Sequence, residues 1–81
     1  MRRFEDRTAL VTGAASGMGF LTAQLFHEEG AHVVMLDINA DTLREKAAEI
    51  GCDWRVCNVR EYGEIEAAVR YAEEKYGAVE Y

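Results

Sequence analysis

The segment whose residue types and spacing could do chemistry is Thr12-Gly13-Ala14-Ala15-Ser16-Gly17-Met18-Gly19. It lies between the aliphatic run Ala9-Leu10-Val11 and an amphipathic stretch. Gly13 lets the chain leave a strand in a backbone geometry that side-chain-bearing residues rarely adopt. Gly17 keeps a Cβ out of the path of an anion approaching the amides that open the following helix. Gly19 lets that helix lie close to the strand. The helix dipole points its positive end at the same spot, and Ser16, the only serine in the chain, adds a hydroxyl donor. Together these features describe a cradle for a pyrophosphate. They do not describe a phosphate-loop NTPase, because no Gly-Lys-Ser/Thr follows and both the phosphate lysine and the magnesium hydroxyl are missing.

A second chemical group stands 18 residues beyond Gly19, at Asp37. At the carboxyl end of a second strand, its carboxylate could accept hydrogen bonds from both hydroxyls of an adenosine ribose and would repel a 2′-phosphate. No Arg or Lys stands at positions 38 to 40 or inside the glycine loop to neutralise such a phosphate. The expected cofactor is therefore NAD in preference to NADP. The bland alternatives are a glycine-rich turn that binds nothing and an acidic turn or helix cap.

The elements that must position these groups follow from hydrophobic period. Short aliphatic runs alternate with amphipathic stretches: a strand over Thr8 to Thr12, a helix from about Gly17 to Glu29, and a strand over His32 to Leu36. A helix capped by Asn39 or Asp41 follows, with Leu43, Ala47 and Ile50 as its apolar stripe and Gly51 as its stop. A weaker third strand runs from Asp53 to Cys57. The last helix spans about Arg60 to Tyr76, with Ile65, Val69, Ala72 and Tyr76 expected on its inner face. Val79 to Tyr81 reads as the start of a fourth strand. Near-continuous apolar strands imply a parallel sheet covered on both faces, and right-handed crossovers then place the first two helices on one face and the third on the other. The expected fold is α/β: a partial Rossmann-type doubly wound sheet, βαβαβα plus the start of a fourth strand, in order 3-2-1-4. The 81 residues read as a single truncated NAD-binding half-domain.

Composition narrows the partners. Nine basic residues face 15 acidic ones, a net charge of −6, which argues against a grip on nucleic-acid phosphates. No apolar run is long enough to span a membrane, and Phe4-Glu5-Asp6-Arg7 interrupts any signal-peptide reading of Met1-Arg2-Arg3, so a cytoplasmic location is expected. Cys52 and Cys57, with four residues between them, fit neither a redox pair nor a zinc site, even with His27 and His32 added; no metal site is expected. The pairs Glu28-Glu29 and Glu73-Glu74 read as solvated helix faces.

These residues resemble the amino-terminal half of the short-chain dehydrogenase/reductase family over essentially the whole chain. The resemblance rests on Arg7 to Ala14, on Ser16-Gly17-Met18-Gly19 with Ala23, on Glu29 to Val34 leading to Asp37, on Cys57-Asn58-Val59, and on Tyr76 to Glu80. It implies that Gly13, Ser16, Gly17, Met18 and Gly19 surround a pyrophosphate, that Asp37 and Ile38 meet the adenosine, and that Asn58 and Val59 lie beside the adenine. The family usually has Asp-Val at that last pair; the Asn58 carbonyl could still accept from the adenine amino group, with altered strength. The family's catalytic Asn, Ser, Tyr and Lys are expected beyond Tyr81, so no catalytic residue is assigned here. Tyr71 and Lys75 have the family's Tyr-x-x-x-Lys spacing, but their place in the last helix marks them as mostly solvated flanking residues.

Two functions follow. One is the NAD-binding portion of a short-chain oxidoreductase, which transfers hydride between NAD and an alcohol or carbonyl substrate. The other is a non-catalytic nucleotide-binding module or truncation remnant. In either case the open edge of the first strand predicts self-association or a completing chain.

Overall fold

The computed structural model describes residues 6–80; the readings that fall on Met1 to Glu5 and on Tyr81 lie outside them. Three strands, β1 (Thr8–Val11), β2 (His32–Asp37) and β3 (Asp53–Val56), alternate with three helices, α1 (Gly17–Glu28), α2 (Ala40–Ile50) and α3 (Tyr62–Tyr76). All pairings are parallel, in the order β1-β2-β3, with Val11 opposite Met35 and Asp37 opposite Val56. On the free side of β1, Thr8 makes an isolated parallel bridge to Val79, and the Glu80 N–H donates to the Thr8 carbonyl at 2.9 Å. The expected 3-2-1-4 order is therefore present, its fourth strand represented among the described residues by that bridge.

Strand alternation divides the core into two layers. Val11, Val33 and Met35 point to one face and pack with Ala23 of α1 and with Leu43 and Ala47 of α2. Leu10, Val34 and Leu36 point to the other and meet Ala68 and Ala72 of α3. Local chemistry agrees with this layout. Asn39 caps α2 by accepting from the Thr42 N–H at 3.3 Å, and Gly51 ends it in the left-handed conformation at φ 73°.

The inner face of α3 keeps Ala72 and the partly buried Tyr76 as expected and departs from expectation at its other positions. Its buried residues are Ala68 and Ala72, while Ile65 is 38% exposed and lines an open groove with Tyr62 and Val69. Small side chains let the helix lie close to the strands, and that contact rotates the bulkier pair onto the flank. The same rotation corrects the reading of Tyr71. Three residues after Ala68, it adjoins the buried face and is half-buried, whereas Lys75 is exposed as expected.

Candidate functional site

The glycine loop has the geometry that its spacing implies. Gly13 and Gly17 adopt φ of 62° and 52°, in the left-handed region that favours glycine. A Cβ built on Gly17 meets no atom within 4 Å, so the space over the amides that open α1 is open to a ligand. At Gly19 the reverse holds: a Cβ there would run into the carbonyl of Gly13, so the start of the helix is seated directly on the loop. Ser16 is the N-terminal flanking residue of α1, yet its hydroxyl caps no amide, and the first turn carries no acidic side chain. The end of the dipole is thus left without a neutralising charge, next to a free hydroxyl. Met18 is 77% exposed beside it.

Asp37 turns back across this loop. Its Oδ2 accepts from the Ala15 N–H and its Oδ1 from the Asn39 N–H, both at 3.0 Å, while the Ala14 N–H donates to the Leu36 carbonyl, also at 3.0 Å. The end of β2 and the loop after β1 are thereby tied together, with the carboxylate fixed between them. Each carboxylate oxygen keeps a further lone pair for a ligand hydroxyl.

The ends of the three strands enclose an open cavity of about 360 Å³, lined by Gly13, Asp37, Ile38, Cys57, Asn58, Val59 and Arg60. Five of the nine candidate residues from the sequence meet there: Gly13, Asp37, Ile38, Asn58 and Val59. Ser16, Gly17, Met18 and Gly19 do not line it and lie instead along the adjoining start of α1.

Cys57 and Arg60 are the two lining residues that sequence reasoning missed. Cys57 is buried in the core beneath the cavity; burial, then the nearby Glu64 charge, push its thiol pKa up, so it stays protonated near neutral pH. Arg60 is the cation of the cavity wall. It stands two residues past Asn58, outside the glycine loop and positions 38 to 40, and only the fold brings it beside Asp37.

The segment around Asn58 is tightly bonded. The Asn58 N–H donates to Glu64 Oε1 at 2.8 Å, its carbonyl accepts from the Glu61 N–H at 2.9 Å, and its Oδ1 accepts from the Arg60 N–H at 3.0 Å. The side-chain oxygen expected to receive an amino group thus holds one bond in a turn and keeps a second lone pair.

Tyr71 and Lys75 serve a different purpose at the opposite end of the sheet. The Tyr71 hydroxyl, Lys75 Nζ and the Tyr76 hydroxyl all donate to Oδ2 of Asp53, at 2.7, 2.9 and 3.0 Å. Burial alone would raise the Asp53 pKa, but the bonds from Lys75, Tyr71, the Trp54 N–H and Tyr76 together hold it below the usual carboxylate range. His32 stacks on Tyr76 with ring centroids 5.0 Å apart. These contacts clamp the end of α3 to the start of β3. Among the described residues, no group of His, Cys, Asp and Glu could hold a metal ion, and no helix is long and apolar enough to cross a membrane.

A parallel sheet with a glycine loop, an acid closing the second strand and a cavity between strand ends defines a Rossmann-type dinucleotide fold. Residues 13–81 match the family described as enoyl-(acyl carrier protein) reductase. The chain is 38% identical over 80 residues to a mitochondrial borneol dehydrogenase of Lavandula x intermedia, covering 99% of this chain and 31% of that protein. It is 38% identical over 81 residues to tropinone reductase-like 2 of Erythroxylum coca, covering 98% and 30%. Among solved structures, a hydroxysteroid dehydrogenase from Escherichia coli superposes with a TM-score of 0.90 at 32% identity, over 96% of this chain and 35% of the other. A short chain dehydrogenase from Mycobacterium smegmatis gives 0.92 at 28%, over 99% and 36%. The chain belongs to the short-chain dehydrogenase/reductase family and corresponds to its amino-terminal part. It spans about a third of the length of the relatives it matches. Membership implies a nicotinamide dinucleotide cofactor.

Proposed function

We propose that residues 1–81 form one half-domain that binds the adenosine and pyrophosphate portion of NAD for a short-chain oxidoreductase acting on an alcohol or carbonyl substrate. The anchoring of Asp37 carries the reading: its carboxylate is held across the mouth of the glycine loop by the Ala15 and Asn39 amides. Gly13, Ser16, Gly17, Met18 and Gly19 would surround the pyrophosphate. Asp37 would take the ribose hydroxyls, and Ile38, Asn58 and Val59 the base. The open space over Gly17 and the unneutralised start of α1 fit such a group. When bound, the nicotinamide ring supplies the hydride acceptor or donor; this chain's own residues bind and orient the other half of the molecule.

NAD is favoured over NADP because the fixed Asp37 charge opposes a 2′-phosphate. Arg60 on the same wall makes that preference partial and sensitive to salt. A second reading, a nucleotide-binding module without turnover, draws support from the engagement of Tyr71 and Lys75 by Asp53, far from the cavity. A cytoplasmic location and self-association belong to both readings.

Calorimetric titration of the chain with NAD and NADP tests the proposal. Saturable binding, tighter for NAD at low salt, is expected. Absence of binding to either at millimolar concentration would refute it.

A further inference from the structure

The outer strand of the sheet is β3, which among the described residues pairs only with β2. The Cys57 N–H bonds to the Asp37 carbonyl at 2.9 Å. By alternation the Asp53 and Arg55 amides also turn toward β2, and those of Trp54 and Val56 turn toward the free edge. There the Trp54 N–H is met by Oδ1 of Asp53 at 2.8 Å, an exposed contact between neighbours.

The two faces of this edge differ. Trp54 stands beside Met35, in the layer of α1 and α2, and is 37% exposed, with Val56 on the same face at 42%. Arg55 stands beside Leu36, in the layer of α3, where its guanidinium lies 5.4 Å from the centre of the Tyr71 ring. It forms no salt bridge among the described residues. Asp53, two residues earlier, shares its face.

A charge on an edge strand ordinarily blocks pairing, but one register lifts the block. Two copies related by a two-fold axis through the sheet pair antiparallel. Opposite residues then share a face, so each residue meets one an even number of places away. Two such registers overlap most of the four residues of β3. Centred on Arg55, the pairing sets two guanidinium groups against each other, which is unfavourable. Centred on Trp54, it sets Arg55 of each copy opposite Asp53 of the other and brings the two Trp54 rings together on the opposite face. In that register the Trp54 N–H passes from Asp53 Oδ1 to the Trp54 carbonyl of the second copy. The released oxygen takes a guanidinium N–H of Arg55, while Oδ2 stays bonded to Tyr71, Lys75 and Tyr76.

We propose that the free edge of β3 binds a second copy of this chain, antiparallel and centred on Trp54, and so joins two sheets into one. The pairing does not depend on what the cavity holds, and it uses the edge opposite to the side of β1 that Val79 meets. So short a strand buries little area, which sets the dissociation constant at roughly tens to hundreds of micromolar.

Trp54 is the only tryptophan in the chain, so its fluorescence reports this edge. The test follows its emission from about 1 µM to about 1 mM, with sedimentation equilibrium in parallel, for the unsubstituted chain, Arg55→Gln and Arg55→Glu. Circular dichroism of each variant checks its fold. The emission of the unsubstituted chain should shift to the blue as concentration and average mass rise together. Arg55→Gln removes the attraction and should weaken the association that Trp54 reports by about threefold; Arg55→Glu sets carboxylate against carboxylate twice and should weaken it by about tenfold or more. Association through the free side of β1 leaves Trp54 where it is, so a rise in mass without a shift in emission overturns the proposal, as does a monomer across the whole range. A folded Arg55→Glu that shifts as the unsubstituted chain does also overturns it. Should Arg55→Glu not fold, Arg55→Gln decides, and an unmoved midpoint there counts against the register.

Discussion

Replacing Asp37 by alanine separates the two tasks given to that carboxylate. In the protein it ties two amides, Ala15 N–H and Asn39 N–H, at 3.0 Å each. Charge-assisted bonds of this type contribute about 1.5–3 kcal/mol each when shielded, and the Asn39 bond is exposed, so a combined loss of roughly 2 kcal/mol in folding stability is expected. Loss of two ribose contacts should weaken NAD by roughly tenfold to a hundredfold. NADP behaves differently. A unit charge at contact distance from a carboxylate is repelled by roughly 1 kcal/mol in water and about 4 kcal/mol near a protein surface. Removing Asp37 relieves that repulsion while taking away the same ribose contact, so NADP affinity should stay level or rise at low salt. The assay is parallel calorimetry with both dinucleotides at two ionic strengths, after urea unfolding has established that the variant is folded. Equal loss for both cofactors, leaving their ratio unchanged, would refute the electrostatic argument.

Three further outcomes are expected. Gly19→Ala should destabilise by about 1–3 kcal/mol because its Cβ enters the Gly13 carbonyl, whereas Gly63→Ala, in α3 with open space around it, should stabilise by about 0.5–1 kcal/mol; thermal unfolding of the pair checks the contrast. Asp53 has a lowered pKa in the folded state, so the stability it contributes is fully present above the ordinary carboxylate value and is lost as pH falls through the folded one. The urea midpoint of Asp53→Asn should therefore lie below that of the parent at pH 6, with the gap closing in acid; a gap that persists there would contradict the clamp. Sedimentation should find the chain self-associated at micromolar concentration, since among the described residues the free side of β1 meets only Val79 and Glu80, at Thr8, and Tyr62 and Ile65 line an open groove; a cooperatively unfolding monomer would count against this.

Much of the fold was legible because its signals are local. Glycines sit where the chain needs positive φ, at Gly13, Gly17 and Gly51. Asn39 stands where a helix needs a cap. The unbroken apolar run through β2 reports a strand covered on both faces. Of the candidate site, the loop and Asp37 could be read by spacing alone, since each is tied to the end of a strand.

What sequence could not supply depended on how surfaces meet. The stripe expected on α3 held at Ala72 and Tyr76 but not at the larger Ile65 and Val69, because close approach to a sheet favours the smallest side chains and Ala68 took the contact beside Ala72. That rotation brought Tyr71 to Asp53, a pairing of residues 18 positions apart. In the same way, Arg60 joined the cavity only because β3 ends beside Asp37, and the Asn58 amide acquired its orientation from the turn it closes. By itself the sequence determined the order of elements, the loop and the acid beyond it, because backbone conformation and period are properties of neighbouring residues. The tertiary structure alone decided which helix face is buried and which atoms of the cavity wall remain free to bond, because those are set by contacts between segments that no local spacing encodes.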